Sequence, residues 1–315
     1  MKKKIFAILI LCTILLLALI GCDYKPERRQ ISTGDDNKLT TLVLTDIRFD
    51  GSAADSVRER MISSVVSERK PEFIAIAGNI VNAENNGEIM KKAVEFIDGL
   101  GVPWAASIGE LDVKGKTSKK GIMNILTNKK LKNSMVMRGY NYEYNYVLEI
   151  VDYKNKVNNL LYFVDTSVEC SDTFVEWYKN TITNLSFKFQ DVQGQLLNSR
   201  VFMNRPLPIY ADNLQSDTFE VHAWGNSIDF QKAIIDLKST KNVIAGFDDL
   251  ANGAQFKHKE ISFAYSRSML FASSMQGDLY RQQQVQTGCI VCEFSDSSIT
   301  NINQIFKNPN NSLQA

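Results

Sequence analysis

The side chains able to do chemistry gather in five short segments, each placed directly after an apolar run. They are Thr45-Asp46-Ile47-Arg48-Phe49, Gly78-Asn79-Ile80-Val81-Asn82, Gly109-Glu110-Leu111-Asp112, Phe202-Met203-Asn204-Arg205-Pro206-Leu207-Pro208 and Gly246-Phe247-Asp248-Asp249. Two chemistries are open to such a set. Asp46, Glu110, Asp248 and Asp249 are carboxylates, and a converging group of them can hold Mg or Ca through oxygen alone. Arg48 and Arg205, with Arg267 further on, are guanidinium groups of the kind that grip phosphate or another anion. Imidazole is scarce: His222 and His258 are the only histidines in 315 residues, and both lie outside the five segments. Little nitrogen is therefore on offer for a transition metal.

Cysteine adds nothing firm. Cys289 and Cys292 have the spacing of a redox or zinc pair, but the segment reads as a strand. Its thiols would face opposite sides about 10 Å apart, too far for a disulfide. Core packing is the expectation, with a bridge from Cys170 to one of them open in an oxidising compartment. Trp104, Trp177 and Trp224 sit in apolar runs or on helix faces and are expected in the core. The lysines of residues 114–120, with Lys129, Lys130 and Lys132, read as a solvated basic loop that could touch anionic headgroups.

Alternating elements must position these segments. Leu42 to Leu44, Phe73 to Ala77 and Trp104 to Ile108 read as buried strands. Val57, Met61 and Val65, then Ile89, Ala93, Phe96, Ile97 and Leu100, are spaced as helix faces between them. Residues 144–153 and 160–165 read as a hairpin. Phe174, Trp177, Tyr178 and Ile182 predict a helix, and Phe230, Ala233, Ile234 and Leu237 another, followed by a strand at Val243 to Ala245. Ile261, Phe263 and Tyr265 alternate as in a strand, and Cys289 to Phe294 closes the set. A sheet system covered by helices follows, with the five segments at strand ends, where open α/β sheets keep their chemistry. Composition agrees: 44% hydrophobic and 23% charged residues exclude collagen, low-complexity disorder and a polytopic membrane protein. With 36 basic and 35 acidic residues, no excess charge points to nucleic acid.

The first residues read as an address. Lys2, Lys3 and Lys4 precede an apolar run of 16 residues, Ile5 to Ile20, short for a membrane span. Leu19-Ile20-Gly21-Cys22 resembles the lipobox of bacterial lipoproteins. That resemblance implies cleavage after Gly21 and lipidation of Cys22, hence an extracytoplasmic protein lipid-anchored to a bacterial membrane. The expected organisation is a signal peptide over 1–21, a flexible tether over 22–38, one domain over 39–298 and a tail over 299–315. Removing the three leader lysines leaves 33 basic against 35 acidic residues.

In order and context the five segments resemble those of the calcineurin-like metallophosphoesterases, in particular the branch of the purple acid phosphatases. That family carries DxH, GDxxx, GNHD, a lone His before PLP, and GHDH. Here PEFIAIAGNIV, GVPWAASIGELD, NRPLPIY and, later, FAYSR with TGCIVCEF keep the surrounding words. The resemblance spans about residues 40–296 and implies a two-sheet α/β sandwich with a two-metal site among its loops. Transferred position by position, Asp46 keeps the first aspartate. Arg48 stands for the DxH histidine, Asn79 for the bridging aspartate, Glu110 for the ligand asparagine and Leu111 for the phosphate-side histidine. Asn204 stands for the lone histidine, and Phe247 and Asp249 for the last two. Asp112 and Asp248 persist but are not primary ligands in the family.

A phenyl ring and an isobutyl group offer no lone pair, and arginine is always protonated. The expectation is therefore a pseudoenzyme with no metal, in which Arg48 pairs with Asp46, and with Asp249 or Glu110, in place of an ion. It would act by binding, with an anionic or phosphorylated ligand as one candidate. The alternative is an active metal-dependent phosphoesterase using Mg or Ca on Asp46, Glu110, Asp248 and Asp249.

Overall fold

A computed structural model describes residues 29–306 except 35, 140–143, 191, 193, 215–219, 249–250, 252, 270–286 and 295–298; side chains are described as far as residue 294. The leader, Cys22 and Asp249 lie outside the described residues.

Strands and helices follow in the order β1 (Gln30–Ser32), β2 (Leu39–Leu44), α1 (Ala54–Arg69), β3 (Phe73–Ala77), α2 (Asn86–Gly99) and β4 (Trp104–Ser107). Next come α3 (Lys119–Leu126), β5 (Tyr146–Val151), β6 (Val157–Val164), α4 (Asp172–Phe189), β7 (Asn198–Met203), α5 (Ile209–Asn213) and α6 (Ile228–Leu237). The last are β8 (Thr240–Ala245), β9 (Gln255–His258), β10 (Ile261–Tyr265), β11 (Gly288–Phe294) and β12 (Ile299–Phe306). They build two sheets, of order β1-β5-β6-β7-β8-β10-β9 and β12-β11-β2-β3-β4. β2, β3 and β4 run parallel, as do β6, β7, β8 and β10. The expected two-sheet α/β sandwich is what the chain adopts.

Strand alternation explains the layers. On β6 and β7, Leu161, Phe163 and Phe202 face the second sheet, where Phe163 meets Phe73 (6.3 Å between ring centres) and Phe202 meets Phe294 (6.3 Å). Tyr162, Val201 and Val243 face the other way and pack in the second core cluster with residues of α4 and α6. There Tyr162 lies 5.0 Å from Tyr178, and Phe174 4.8 Å from Phe230. The helix α4 starts where Ser171 accepts the Phe174 N–H at 3.1 Å, an N-cap that satisfies one otherwise unpaired donor. Trp104 and Trp224 are buried and Trp177 half-buried, as expected. Cys170, Cys289 and Cys292 are all buried, and among the described residues no disulfide joins Cys170 to either of the other two.

The fold runs past both expected boundaries. Within 22–38, Gln30–Ser32 is a strand beside β5, pairing Gln30 with Glu149 and Ser32 with Val151. Its alternation buries Ile31 between two exposed polar neighbours. Beyond 298, Ile299–Phe306 is not a tail but the edge strand pairing antiparallel with β11. His258, outside the five segments, ends strand β9 and pairs with Ile261.

Candidate functional site

Parallel strands point all their carboxyl ends one way, so β2, β3 and β4 present residues 45–49, 78–82 and 109–112 together. β7 and β8 bring up Asn204 and Gly246, where the Gly246 N–H donates to Asn204 O at 2.9 Å. The loops touch so closely that side chains are excluded at some positions. A methyl on Gly246 would fall 2.6 Å from Asp46 Oδ2 and collide with the Thr45 hydroxyl; one on Gly78 would fall 2.7 Å from Asn204 Cβ. Gly246→Ala is therefore expected to cost about 1–3 kcal/mol through overpacking, readable as a lower denaturant midpoint at unchanged m-value.

Asp46 is the centre of the cluster and 1% exposed. Its Oδ1 accepts Asn79 Nδ2 at 2.7 Å, Arg48 Nη2 at 3.1 Å and Arg48 Nε at 3.3 Å. Its Oδ2 accepts the Phe247 N–H at 2.7 Å and the Thr45 hydroxyl at 2.8 Å. Five donors on two oxygens saturate the carboxylate. The expected pairing of Arg48 with Asp46 is present, and Arg48 also reaches Phe247 O at 3.4 Å. Asn79 explains how this works without an ion. An aspartate there would set a second carboxylate 2.7 Å from the first, a repulsion that demands a bridging cation. The amide turns the same contact into a hydrogen bond, and its Oδ1 accepts the Leu111 N–H at 2.9 Å.

The other carboxylates are engaged elsewhere. Glu110 does not close on the Asp46 cluster as part of a cup: it faces Lys114 and, at 3.7 Å, Arg205, and Lys114 holds its carboxyl below the usual range. Asp248 is 4% exposed at its side chain. It accepts the Tyr265 hydroxyl at 2.7 Å and faces His222 Nδ1 at 2.6 Å. Burial pushes its pKa up against those partners. Asp112 spans two loops, its Oδ1 taking the Val81 N–H at 2.9 Å, its Oδ2 those of Asn79 at 3.0 Å and Gly109 at 2.9 Å. Burial pushes this carboxyl up to about 7, opposed by those backbone donors. Asn204 donates to Ala77 O at 3.0 Å, while its buried Oδ1 has no hydrogen-bond partner among the described residues.

Of the sequence-predicted residues, Asp46, Arg48, Asn79, Leu111, Asn204 and Phe247 do come together, whereas Glu110 and Asp248 turn to other partners. Arg48 and Arg205 both border Phe247, the Arg205 guanidinium lying 4.8 Å above its ring; Arg267 is 7% exposed. His222 was not expected here, yet its ring packs 5.8 Å from that of Phe247. Only the buried polar strand end Asp248, which needs a partner, could have signalled it. Asp46, Arg48, Asn79 and Phe247 all have left-handed backbone, with φ of 48°, 54°, 54° and 81°, a concentration of strain typical of functional loops.

A bimetallic centre does not fit these residues. Phe247 and Leu111 have nothing to donate, and a guanidinium occupies the neighbourhood of the one retained ligand. Among the described residues no three carboxylate, imidazole or thiolate groups are placed to hold one ion; of the oxygen-only set expected from Asp46, Glu110, Asp248 and Asp249, Glu110 and Asp248 face other partners and Asp249 lies outside the described residues.

No protein-family model and no curated protein matches the chain in sequence. Solved structures do resemble it in fold. A dimetal phosphatase from Danio rerio superposes with a TM-score of 0.57 at 9% identity, covering 86% of this chain and 99% of that one. The Plasmodium protein GAP50, described as the anchor in the inner membrane complex, gives 0.54 at 14% identity, covering 88% and 93%. A purple acid phosphatase from yellow lupin seeds gives 0.51 at 9% identity, covering 88% of this chain and 55% of that one. The fold is that of the calcineurin-like metallophosphoesterases.

Proposed function

We propose that this chain is a pseudoenzyme on the metallophosphoesterase fold, held at a bacterial membrane by lipid on Cys22 and acting by binding rather than by hydrolysis. One observation carries the reading: both oxygens of the buried Asp46 are taken by five protein donors, two of them from a guanidinium. A buried arginine–carboxylate pair fills the volume and neutralises the charge that an ion would otherwise neutralise. The same loops bring Arg48 to the Phe247 carbonyl and Arg205 over its ring, two guanidinium groups of the kind that suit an anionic or phosphorylated ligand. Lipidation rests on Leu19-Ile20-Gly21-Cys22 behind a basic and apolar leader.

The purified protein is expected to carry no stoichiometric metal and to hydrolyse no phosphate ester with Mn, Zn, Fe, Mg or Ca. Stoichiometric metal together with turnover abolished by Asp46→Ala would overturn the reading. Mass spectrometry of the mature N-terminus is expected to find an acylated Cys22, and an intact Met1 would refute the anchor.

A further inference from the structure

The opposite end of the seven-stranded sheet has a charge pattern of its own. β6, β7, β8 and β10 all start there. The turn 152–156, the last turn of α4, the step from α6 into β8 and the turn 259–260 therefore share that end. Lys154, Lys156, Lys188, Lys238, Lys257 and Lys259 stand on these segments, all exposed. The described acids among them are few. Asp152 takes the backbone N–H groups of Lys154 and Lys156 at 2.8 Å each, Glu260 lies 3.8 Å from Lys257, and Asp236 and, just past β1 at the same end, Asp36 are exposed. Past the leader the chain is slightly acidic, so this end departs from its average. Beside the five loops, by comparison, Lys114, Lys116 and Lys119 stand against Glu110, Glu84 and Asp165. Large apolar side chains are exposed among the basic ones: Tyr153 at 52%, Phe187 at 86% and Val192 at 61%.

Lysines interspersed with exposed aromatic and aliphatic groups suit a charged, half-apolar interface. We infer that this end is a docking face for an anionic lipid bilayer, seating the body so that the remnant cleft at the other end of the strands faces away from the membrane. The tether permits it. Residues 23–29 can span about 25 Å, whereas Gln30, level with Glu149, is only about 13 Å along the strand from Tyr153. The tether alone rests on the anchor proposed above; the charge pattern does not.

The full chain carrying Phe187→Trp provides the test, read as a difference from the unsubstituted chain, in which Trp104 and Trp224 are buried and Trp177 is half-buried. With vesicles of phosphatidylcholine and phosphatidylglycerol, the introduced indole is expected to shift to the blue and to be quenched by brominated acyl chains. Both signals are expected to be lost on reversing Lys154, Lys188, Lys238 and Lys257 to glutamate, and to weaken in high salt. Val168→Trp, at the cleft end where Val168 is 50% exposed, is expected to stay unquenched. An unquenched indole at position 187, a quenched one at 168, or quenching that ignores lipid charge would overturn the inference. Metal content and turnover report separately on the pseudoenzyme reading, so either can fail without the other.

Discussion

Asp112→Ala is expected to lower the stability of this protein by about 4 kcal/mol, a fall in Tm of roughly 8–16 °C. The carboxylate is 1% exposed and holds the N–H groups of Asn79, Val81 and Gly109. Truncation orphans all three in a place that water does not reach, at about 1–3 kcal/mol each before relaxation. Asp112→Asn keeps one acceptor oxygen and should cost less. The pH dependence has a definite sign. The folded-state pKa, pushed up to about 7, lies above the ordinary 3.8. The native chain thus binds more protons than the unfolded one between those values, and the stability linked to this group is lost as pH rises towards and through about 7. The gap between wild type and Asp112→Ala should therefore be wider at pH 5 than at pH 8. Amide exchange at Asn79, Val81 and Gly109 should accelerate together in the variant. A Tm within 2 °C of wild type would show that the loops do not depend on this group.

Arg48→Met is expected to cost about 3 kcal/mol. It leaves the Asp46 carboxylate buried with neutral donors from Thr45, Asn79 and Phe247 but without the guanidinium beside it. Arginine 48 retains some solvent access, at 16% of its side chain, which holds the figure below that of a fully enclosed pair. The diagnostic is the cycle with Asp46→Asn. If the two residues form one electroneutral unit, the double variant should be more stable than the sum of the single losses implies, by about 1.5 kcal/mol or more. Strict additivity in chemical denaturation would mean that Arg48 contributes through packing alone.

The parts of this architecture that were legible in the sequence are those with strong local periodicity. Helix faces such as Ile89, Ala93 and Ile97 and all-apolar strands such as Phe73 to Ala77 declare themselves, because burial there is continuous. The Asp46–Arg48 pair was legible because an always-charged guanidinium stands two positions from a carboxylate, where the resemblance places a metal ligand. The edge strands were not: Gln30–Ser32 and Ile299–Phe306 mix polar with apolar residues and lack a continuous apolar run, and the backbone hydrogen bonds that recruit them to β5 and β11 carry no side-chain signature. Nor was the swing of Glu110 towards Lys114 and Arg205, which depends on how loops from different strands meet. His222 lies far from any strand end in the sequence and reaches Asp248 only through the tertiary fold.

The left-handed backbone at Asp46, Arg48, Asn79 and Phe247 bears on how this protein would respond to redesign. Such conformations cost about 1–3 kcal/mol each, and here surrounding packing and hydrogen bonds meet that cost. The main chain is therefore shaped by the protein itself: imidazoles and a carboxylate introduced at these positions would meet a backbone already bent, and any ion binding they conferred would hinge on side-chain identity.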